Sequence, residues 1–255
     1  MSAKILLIDI ETKPFLVYTW GLYNQNIATN QIKEEWAILT YAAKWFGHDK
    51  IMSDTAEKDI NDERLINGIW QLLDQADIVI AHNGDRFDIP KINAKMFKYK
   101  VKPPSPYHKI DTLKSLRASF ALTSNRLDFV SKYLGSQGKL DTGGMKLWID
   151  CLSGDPKAWE KMEFYNIQDV IELEKVYVAI RPWITNHPNL GLYNDKEHTV
   201  CPKCGGEHIH YRGYVKTGVS IFRRFQCKTC GGWGQVLPNL LPKHERERIG
   251  RNVRA

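Results

Sequence analysis

The chain has 255 residues, of which 43% are hydrophobic, 25% charged and 11% aromatic, with a formal net charge of +7. The aromatic content excludes wholesale disorder, and five cysteines are too few for a disulfide-dense secreted scaffold. No stretch of about 18 uncharged apolar residues offers a membrane span, and Asp9 and Glu11 interrupt the early apolar run that a secretory signal would need. A cytoplasmic protein is the expectation.

The charge is unevenly placed. Residues 199–255 carry 11 Lys and Arg against 3 Asp and Glu, while the rest of the chain carries 25 against 26. The positive excess reads either as a polyanion-binding appendage on a near-neutral body or as a solvated basic tail.

In chain order, Ala3 to Asp9 is a nearly continuous apolar run, as in a central strand covered on both faces. Val17 to Tyr23 is a weaker strand candidate, and Ile38 to Phe46 a stronger one. Asp59 to Leu73 places Ile60, Leu65, Ile69, Leu72 and Leu73 at helical spacing. Asp77 to Ala81 reads as a short buried strand, and Phe87 to Tyr99 as a helix with Ile89, Ile92, Met96 and Tyr99 on one face. Leu127 to Leu134 is a short helix stopped by Gly135. Ala158 to Ile180 is the longest helix, with Met162, Tyr165, Asp169, Leu173 and Val176 on one face. Strands first, then strands alternating with helices, predict an α/β fold with a mixed sheet flanked by helices. Pro182, Pro188, Asn189 and Gly191 mark a boundary. The expected division is a domain over 1–185, a linker over 186–198, a small β domain over 199–241 and a flexible basic tail over 242–255.

Three acidic motifs carry chemistry. Asp9 and Glu11 end the first strand and share its face with Ile5 and Leu7. Two carboxylates at the edge of a core are costly unless a cation compensates them, and Mg²⁺ favours carboxylate oxygens. Asp88 lies where a buried strand hands over to a helix, a place that also suits a capping acid. Tyr165 and Asp169 sit one helical turn apart. Tyr165 alone could be a core residue, but a buried lone carboxylate at 169 needs a reason.

The cysteines form two matched knuckles, Cys201-Pro-Lys-Cys204-Gly-Gly and Cys227-Lys-Thr-Cys230-Gly-Gly, which together supply four thiolates for one tetrahedral Zn²⁺. The spacer fits a hairpin of Ile209 to Val215 and Val219 to Phe225 around Thr217-Gly218. A redox pair is the alternative. Cys151 is isolated and reads as a small buried residue. Arg212, Tyr214, Arg223 and Arg224 on that hairpin could contact phosphates and unpaired bases, or the rings could form the unit's core while the cations face water. Two further segments are ambiguous. Pro14 to Gln31 is rich in aromatics and Asn/Gln and reads by default as packed core, or else as a lid; Lys139 to Lys146 is a glycine-containing turn or a substrate loop.

The ordered set of strand-Asp9-x-Glu11, Asn83-Gly-Asp-Arg-Phe-Asp88-Ile-Pro90 and helical Tyr165-x-x-x-Asp169 resembles the DEDDy 3′–5′ exonucleases of the ribonuclease H-like fold. The second motif is similar to that of family B DNA polymerase proofreading domains and of their stand-alone phage and bacterial relatives. The resemblance implies a phosphodiester hydrolase acting on nucleic acid, DNA rather than RNA, in a bacterial or phage-infected cell, with a possible replication or repair partner. It implies two Mg²⁺ or Mn²⁺ ions: Asp9 bridging them, Glu11 and Asp169 completing one site, Asp88 supporting the other. Tyr165 would orient the attacking water, since a tyrosine with an ordinary pKa of ~10 is a poor base. Asn83 would position substrate or a loop, and Asp111 would support the site. The C-terminal unit resembles zinc ribbons of the CPxC…CxxCG type, with one structural Zn²⁺ and a nucleic-acid-binding role. The alternatives are a ribonuclease H-like endonuclease and a non-catalytic binding module.

Overall fold

The computed structural model describes residues 2–56, 61–136, 138, 143–237 and 239–250. Its contacts divide the chain into two compact units, Lys4–Val178 and Ala179–Ala255, the latter joined by the first three residues. Among the described residues, no helix is long and apolar enough to cross a membrane.

The larger unit is built on a five-stranded mixed sheet in the order β5-β4-β1-β6-β7, with β1 Ile5–Thr12, β4 Ile38–Trp45, β5 Ile51–Thr55, β6 Ile78–Ala81 and β7 His108–Asp111. β1 runs antiparallel to β4 and parallel to β6. Leu6, Leu7 and Ile8 are all fully buried, so both faces of this central strand are covered, as its unbroken apolar run predicts. Helix α1 (Glu63–Gln75) buries Leu65, Ile66, Ile69 and Leu73, and α2 (Asp88–Lys98) buries Ile89, Ile92 and Met96. These side chains join Leu6, Ile8 and Ile10 in one core cluster. Then come α3 (Thr112–Ser119), α4 (Leu127–Tyr133), α5 (Met145–Leu152) and α6 (Pro156–Ile180). The mixed sheet and flanking helices expected from the sequence are present.

The exceptions have physical reasons. Val17 to Tyr23 is not a strand: β2 covers only Leu16–Val17 and pairs with β3, Ile32–Glu34. Nor is the aromatic segment core, for Tyr18, Trp20, Leu22 and Tyr23 are 66%, 99%, 89% and 83% exposed. Its backbone polar groups are satisfied locally, so no sheet is needed to pair them. Gln31 Nε2 donates to the Tyr18 carbonyl at 3.0 Å, its Oε1 accepts from the Ala28 N–H at 2.8 Å, and Gln25 Nε2 donates to the Tyr23 carbonyl at 2.8 Å. Strand β5 and helices α3 and α5 escape the hydrophobic pattern because they are short or half-exposed. The expected helix start at Asp59 and Ile60 lies outside the described residues, as does the first half of the Lys139 to Lys146 segment, residues 139–142, while Met145 and Lys146 begin α5.

One buried ion pair ties the sheet to α1 and α2. Asp62 faces Lys95 Nζ at 3.0 Å, and both side chains are almost completely buried. The carboxylate also accepts from the Ile38 N–H at 2.9 Å and from the Tyr99 hydroxyl. Lys95 donates to the Trp36 carbonyl at 2.7 Å and lies 4.3 Å from the Trp36 ring centroid. Burial and the hydrogen bond to Asp62 push the Tyr99 phenol well above its ordinary value, so it remains a donor. Removing one partner of such a pair strands a buried charge, whereas replacing both with apolar groups is close to neutral. Lys95→Met or Asp62→Leu alone is therefore expected to cost about 3–5 kcal/mol of unfolding free energy, and the double replacement less than either. Urea midpoints at constant m-value check this.

The smaller unit holds a three-stranded sheet in the order β10-β9-β8, with β8 Ile209–Thr217, β9 Ser220–Cys227 and β10 Trp233–Gln235. The expected hairpin around Gly218 is present; its first strand runs two residues further, to Thr217, its second starts one residue later and ends two later, at Cys227, and β10 adds a third strand. The segment 243–247, expected as flexible tail, folds as helix α7 (Lys243–Glu247), with Arg246 N–H donating to the Pro242 carbonyl at 3.2 Å.

Candidate active site

The sheet opens where β1 carries its acids. The parallel ladder between β1 and β6 runs only from Ile5–Ile78 to Leu7–Ile80. Further along β1 the Ile10 N–H is taken instead by the buried Asp88 carboxylate at 3.2 Å. Asp88 occupies the first turn of α2, where the helix dipole favours a carboxylate. The loop from β6 into α2 is held from the other side by Asp111. This residue caps α3 by accepting from the Lys114 N–H at 3.1 Å, and it accepts from the N–H groups of Asn83 and Asp85 at 3.1 and 3.2 Å. Asn83 has φ of 68°, a left-handed conformation asparagine tolerates. Gly84 is required by space, since a Cβ there would lie 2.5 Å from that of Ala81.

Asp9, Glu11 and Asp169 converge from β1 and α6, each offering a carboxylate oxygen within 4.8 Å of the others. At an effective dielectric of about 20, each pair of charges at that separation repels by about 3 kcal/mol. A divalent cation relieves that repulsion, and an all-carboxylate donor set suits Mg²⁺ or Mn²⁺. Asp88 is not one of the converging three; it lies one residue along, against Ile10.

Two residues that the sequence reading missed shape this cluster. Asn166 is fully buried, and its Nδ2 donates to Asp9 Oδ2 at 2.6 Å. It lies three positions before Asp169, so helical spacing alone could have placed it on the acidic face. Trp148 on α5 packs edge-on against Tyr165, with ring centroids 6.5 Å apart, and donates its indole N–H to the Thr12 carbonyl at 3.2 Å. Tyr165 is thereby braced against the end of β1. Its ring lines a cavity of about 670 Å³ together with His82, Asn83, Arg117, Arg126 and Leu127. His82 Nδ1 lies 2.9 Å from the Thr112 hydroxyl oxygen, which is also 3.3 Å from the Ala81 carbonyl.

The four cysteines of the smaller unit also converge. Cys201, Cys204, Cys227 and Cys230 have all their sulfurs within 4.8 Å of one another, with Cys201–Cys230 at 3.7 Å and Cys204–Cys227 at 3.6 Å. Four sulfurs at about 2.3 Å from a tetrahedral centre stand about 3.8 Å apart, so the set fits zinc. Both knuckles fold alike. Gly206 and Gly232 N–H groups donate to the sulfurs of Cys204 and Cys230 at 3.4 Å, while Gly205 and Gly231 turn the chain at φ of 71° and 78°. The hydrogen bond from Cys204 pulls Cys201 down to about 5, and the same pairing pushes Cys204 up. Cys151 is buried on α5, as expected. Of the four candidate contact residues, Arg223 stands opposite Tyr214 in the ladder, 4.0 Å from the Tyr211 ring centroid, while Arg224 alternates to the other face.

Comparison with known proteins agrees with this architecture. The sequence profile of the RNase H superfamily matches residues 6–181. The fold is similar to that of the family B DNA polymerase from the hyperthermophilic archaeon Pyrobaculum calidifontis, at 14% sequence identity and a TM-score of 0.50. That alignment covers 85% of this chain and 33% of the polymerase, so the chain spans about a third of that enzyme's length. No curated protein matches. The profile match runs from the first buried residues of β1 to the end of α6 and takes in every acid of the cluster: the chain belongs to the RNase H superfamily.

Proposed function

We propose that this chain is a metal-dependent 3′–5′ exonuclease of the DEDDy type that hydrolyses DNA from single-stranded 3′ ends, with a zinc ribbon that binds nucleic acid. The observation that carries this reading is the convergence of Asp9, Glu11 and Asp169 within 4.8 Å, beside a tyrosine one helical turn away. Asp9, Glu11 and Asp169 would hold one divalent ion, and Asp9 with Asp88 a second. Bound there, such ions activate a water and stabilise the leaving oxygen. The Tyr165 hydroxyl orients that water, and Trp148 fixes the ring that carries it. The Asn166 amide holds the Asp9 carboxylate in one orientation. The cavity beside Tyr165 receives the terminal nucleotide, with Asn83 on its wall and Asp111 keeping the Asn83 loop in place. DNA is favoured because the Asn83–Pro90 segment resembles the proofreading motif.

Asp9→Asn and Asp169→Asn are each expected to lower turnover on the order of 10³-fold. The measurement uses a 5′-labelled single strand with Mg²⁺ or Mn²⁺. The parent should shorten it stepwise from the 3′ end and leave a circular single strand intact. Undiminished degradation by the variants, or cleavage of the circle, overturns the proposal. Asn166→Ala should keep the acids but weaken metal affinity about 10–100-fold, and excess Mn²⁺ should restore activity. A Mn²⁺ titration of rate reads this directly.

The cysteine site fits one structural zinc, which would supply the folding energy of the smaller unit. One zinc per chain is expected on thiol-triggered release. Removing it by chelation, or replacing Cys201 with Ser, should expose residues 199–241 to protease while the cooperative urea transition of the larger unit persists.

A further inference from the structure

Facing residues in a ladder share a face of the sheet. On β9, Phe225 stands opposite Tyr211 and Gly234, and it is almost completely buried. This face is the ribbon's miniature core: a Cβ at Gly234 would lie 2.4 Å from the Phe225 ring. The opposite face places Gln226 between His210 and Trp233, and Arg224 beside Gln235. Trp233 on this face is 44% exposed.

Alternation after Tyr211 puts a second cation, Arg212, on this outer face, where the strand bulges. The β8–β9 register shifts between Tyr211 and Tyr214, and Gly213 takes φ of 68°. Arg212 in the bulge donates from Nη1 to Gln226 Oε1 at 3.0 Å. Its backbone carbonyl accepts from Arg224 Nε at 2.7 Å. The two guanidinium groups then lie 5.7 and 5.0 Å from the Trp233 ring centroid. Among the described residues each uses one N–H group within the fold, which leaves the others for a ligand. From residue 199 onward the acids are Glu207, Glu245 and Glu247, and no ion pair joins any of them to Arg212 or Arg224 among the described residues. Two like charges are thus held near one ring by neutral hydrogen bonds, an arrangement that a bound anion would favour. Next to them lies a cavity of about 450 Å³ lined by Pro202, Val215, Arg224, Trp233, Gly234 and Gln235. That is space for a flat ring against the indole, within the range of small-ligand sites.

We propose that this outer face is a binding site for a single nucleic-acid strand, with a phosphodiester held between Arg212 and Arg224 and the adjacent unpaired base stacked on Trp233. The guanidinium edges match a phosphate, and stacking on an indole is available to any base that is not paired. This deepens the nucleic-acid-binding part of the proposed function. It separates the outer face from Arg223 and Tyr214, which lie on or beside the core face. The pairing of Tyr211 with Phe225 already carries Arg212 to the side of Arg224, and at the bulge that follows the Arg212 carbonyl accepts from Arg224 Nε.

The test is binding of the full zinc-loaded chain to a fluorescently labelled, phosphorothioate-linked dT20 strand without added Mg²⁺ or Mn²⁺, read by anisotropy over a salt series. Arg212→Gln and Arg224→Gln are each expected to weaken binding and to reduce the salt slope by about 1. Trp233→Ala should weaken it about tenfold without changing the slope, and Trp233→Phe should recover most of that loss. Lys216→Gln, which removes one charge from the other face, where Lys216 pairs with Ile221, should have less than a twofold effect. A duplex of the same length should bind more weakly and be indifferent to Trp233→Ala. Zinc content of each variant reports whether the ribbon is folded, and Trp233→Phe keeps the test valid if the alanine variant is not. Equal affinity and salt slope in the parent, the arginine variants and Trp233→Phe, with Trp233→Ala also silent or unfolded, overturn the inference and turn this face into a candidate protein contact. The binding assay contains no catalytic metal ion, so a parent chain that binds the strand but shows no nuclease activity with Mg²⁺ or Mn²⁺ would sink the catalytic reading while leaving this one standing.

Discussion

A central strand buried on both faces can carry ionised groups only where its cover ends. β1 obeys this constraint, and the rest of the larger unit is arranged around it. Leu6, Leu7 and Ile8 are sealed by the sheet and its flanking helices. Two residues later the ladder to β6 has stopped, and the strand continues into Asp9, Ile10 and Glu11. Had β6 paired further, the Ile10 N–H would belong to the sheet and Asp88 would have no anchor. The gap in the ladder is what admits α2, and with it a third acidic element beside β1. Opposite, the face shared by Asp9 and Glu11 is met by α6, whose Asp169 closes the cluster.

Groups that are not acids hold this arrangement. Asn166 restrains Asp9, Trp148 links the Tyr165 ring to the Thr12 carbonyl, and Asp111 gathers three backbone N–H groups from the loop and α3. Each works by satisfying a buried or half-buried polar group that would otherwise be costly to leave unmade. The carboxylates can then sit closer together than isolated charges would, ready for a cation. The smaller unit follows the same logic with sulfur: knuckle N–H groups point at Cys204 and Cys230, and the glycines exist to let the chain turn tightly enough for them to do so.

What was legible in the sequence was what is local. The apolar run of β1, the helical spacing of Tyr165 and Asp169, and the two cysteine knuckles are each written within a dozen residues. Asn166 was overlooked because an asparagine beside a motif has no signature until its partner 157 positions away is known. Arg212 and Trp233 meet only across three paired strands, whose register leaves no period in the sequence. The ion pair of Asp62 and Lys95 was invisible for a different reason: charged residues on otherwise amphipathic helices read as solvent-facing. The aromatic segment misled in the opposite direction. Its rings suggested core, yet Gln31 and Gln25 satisfy the backbone locally and leave the rings outside.

That segment has a consequence of its own. Tyr18, Trp20, Leu22 and Tyr23 gain almost no burial on folding, so the native state draws little of its stability from them. Exposed positions of this kind usually change stability by no more than about 0.5 kcal/mol when replaced. The loop begins three residues after Glu11, so ground that is close to neutral for stability lies next to a strand buried on both faces. Replacements at its tip are free to change what the surface beside the acids presents without unfolding the strand that carries them.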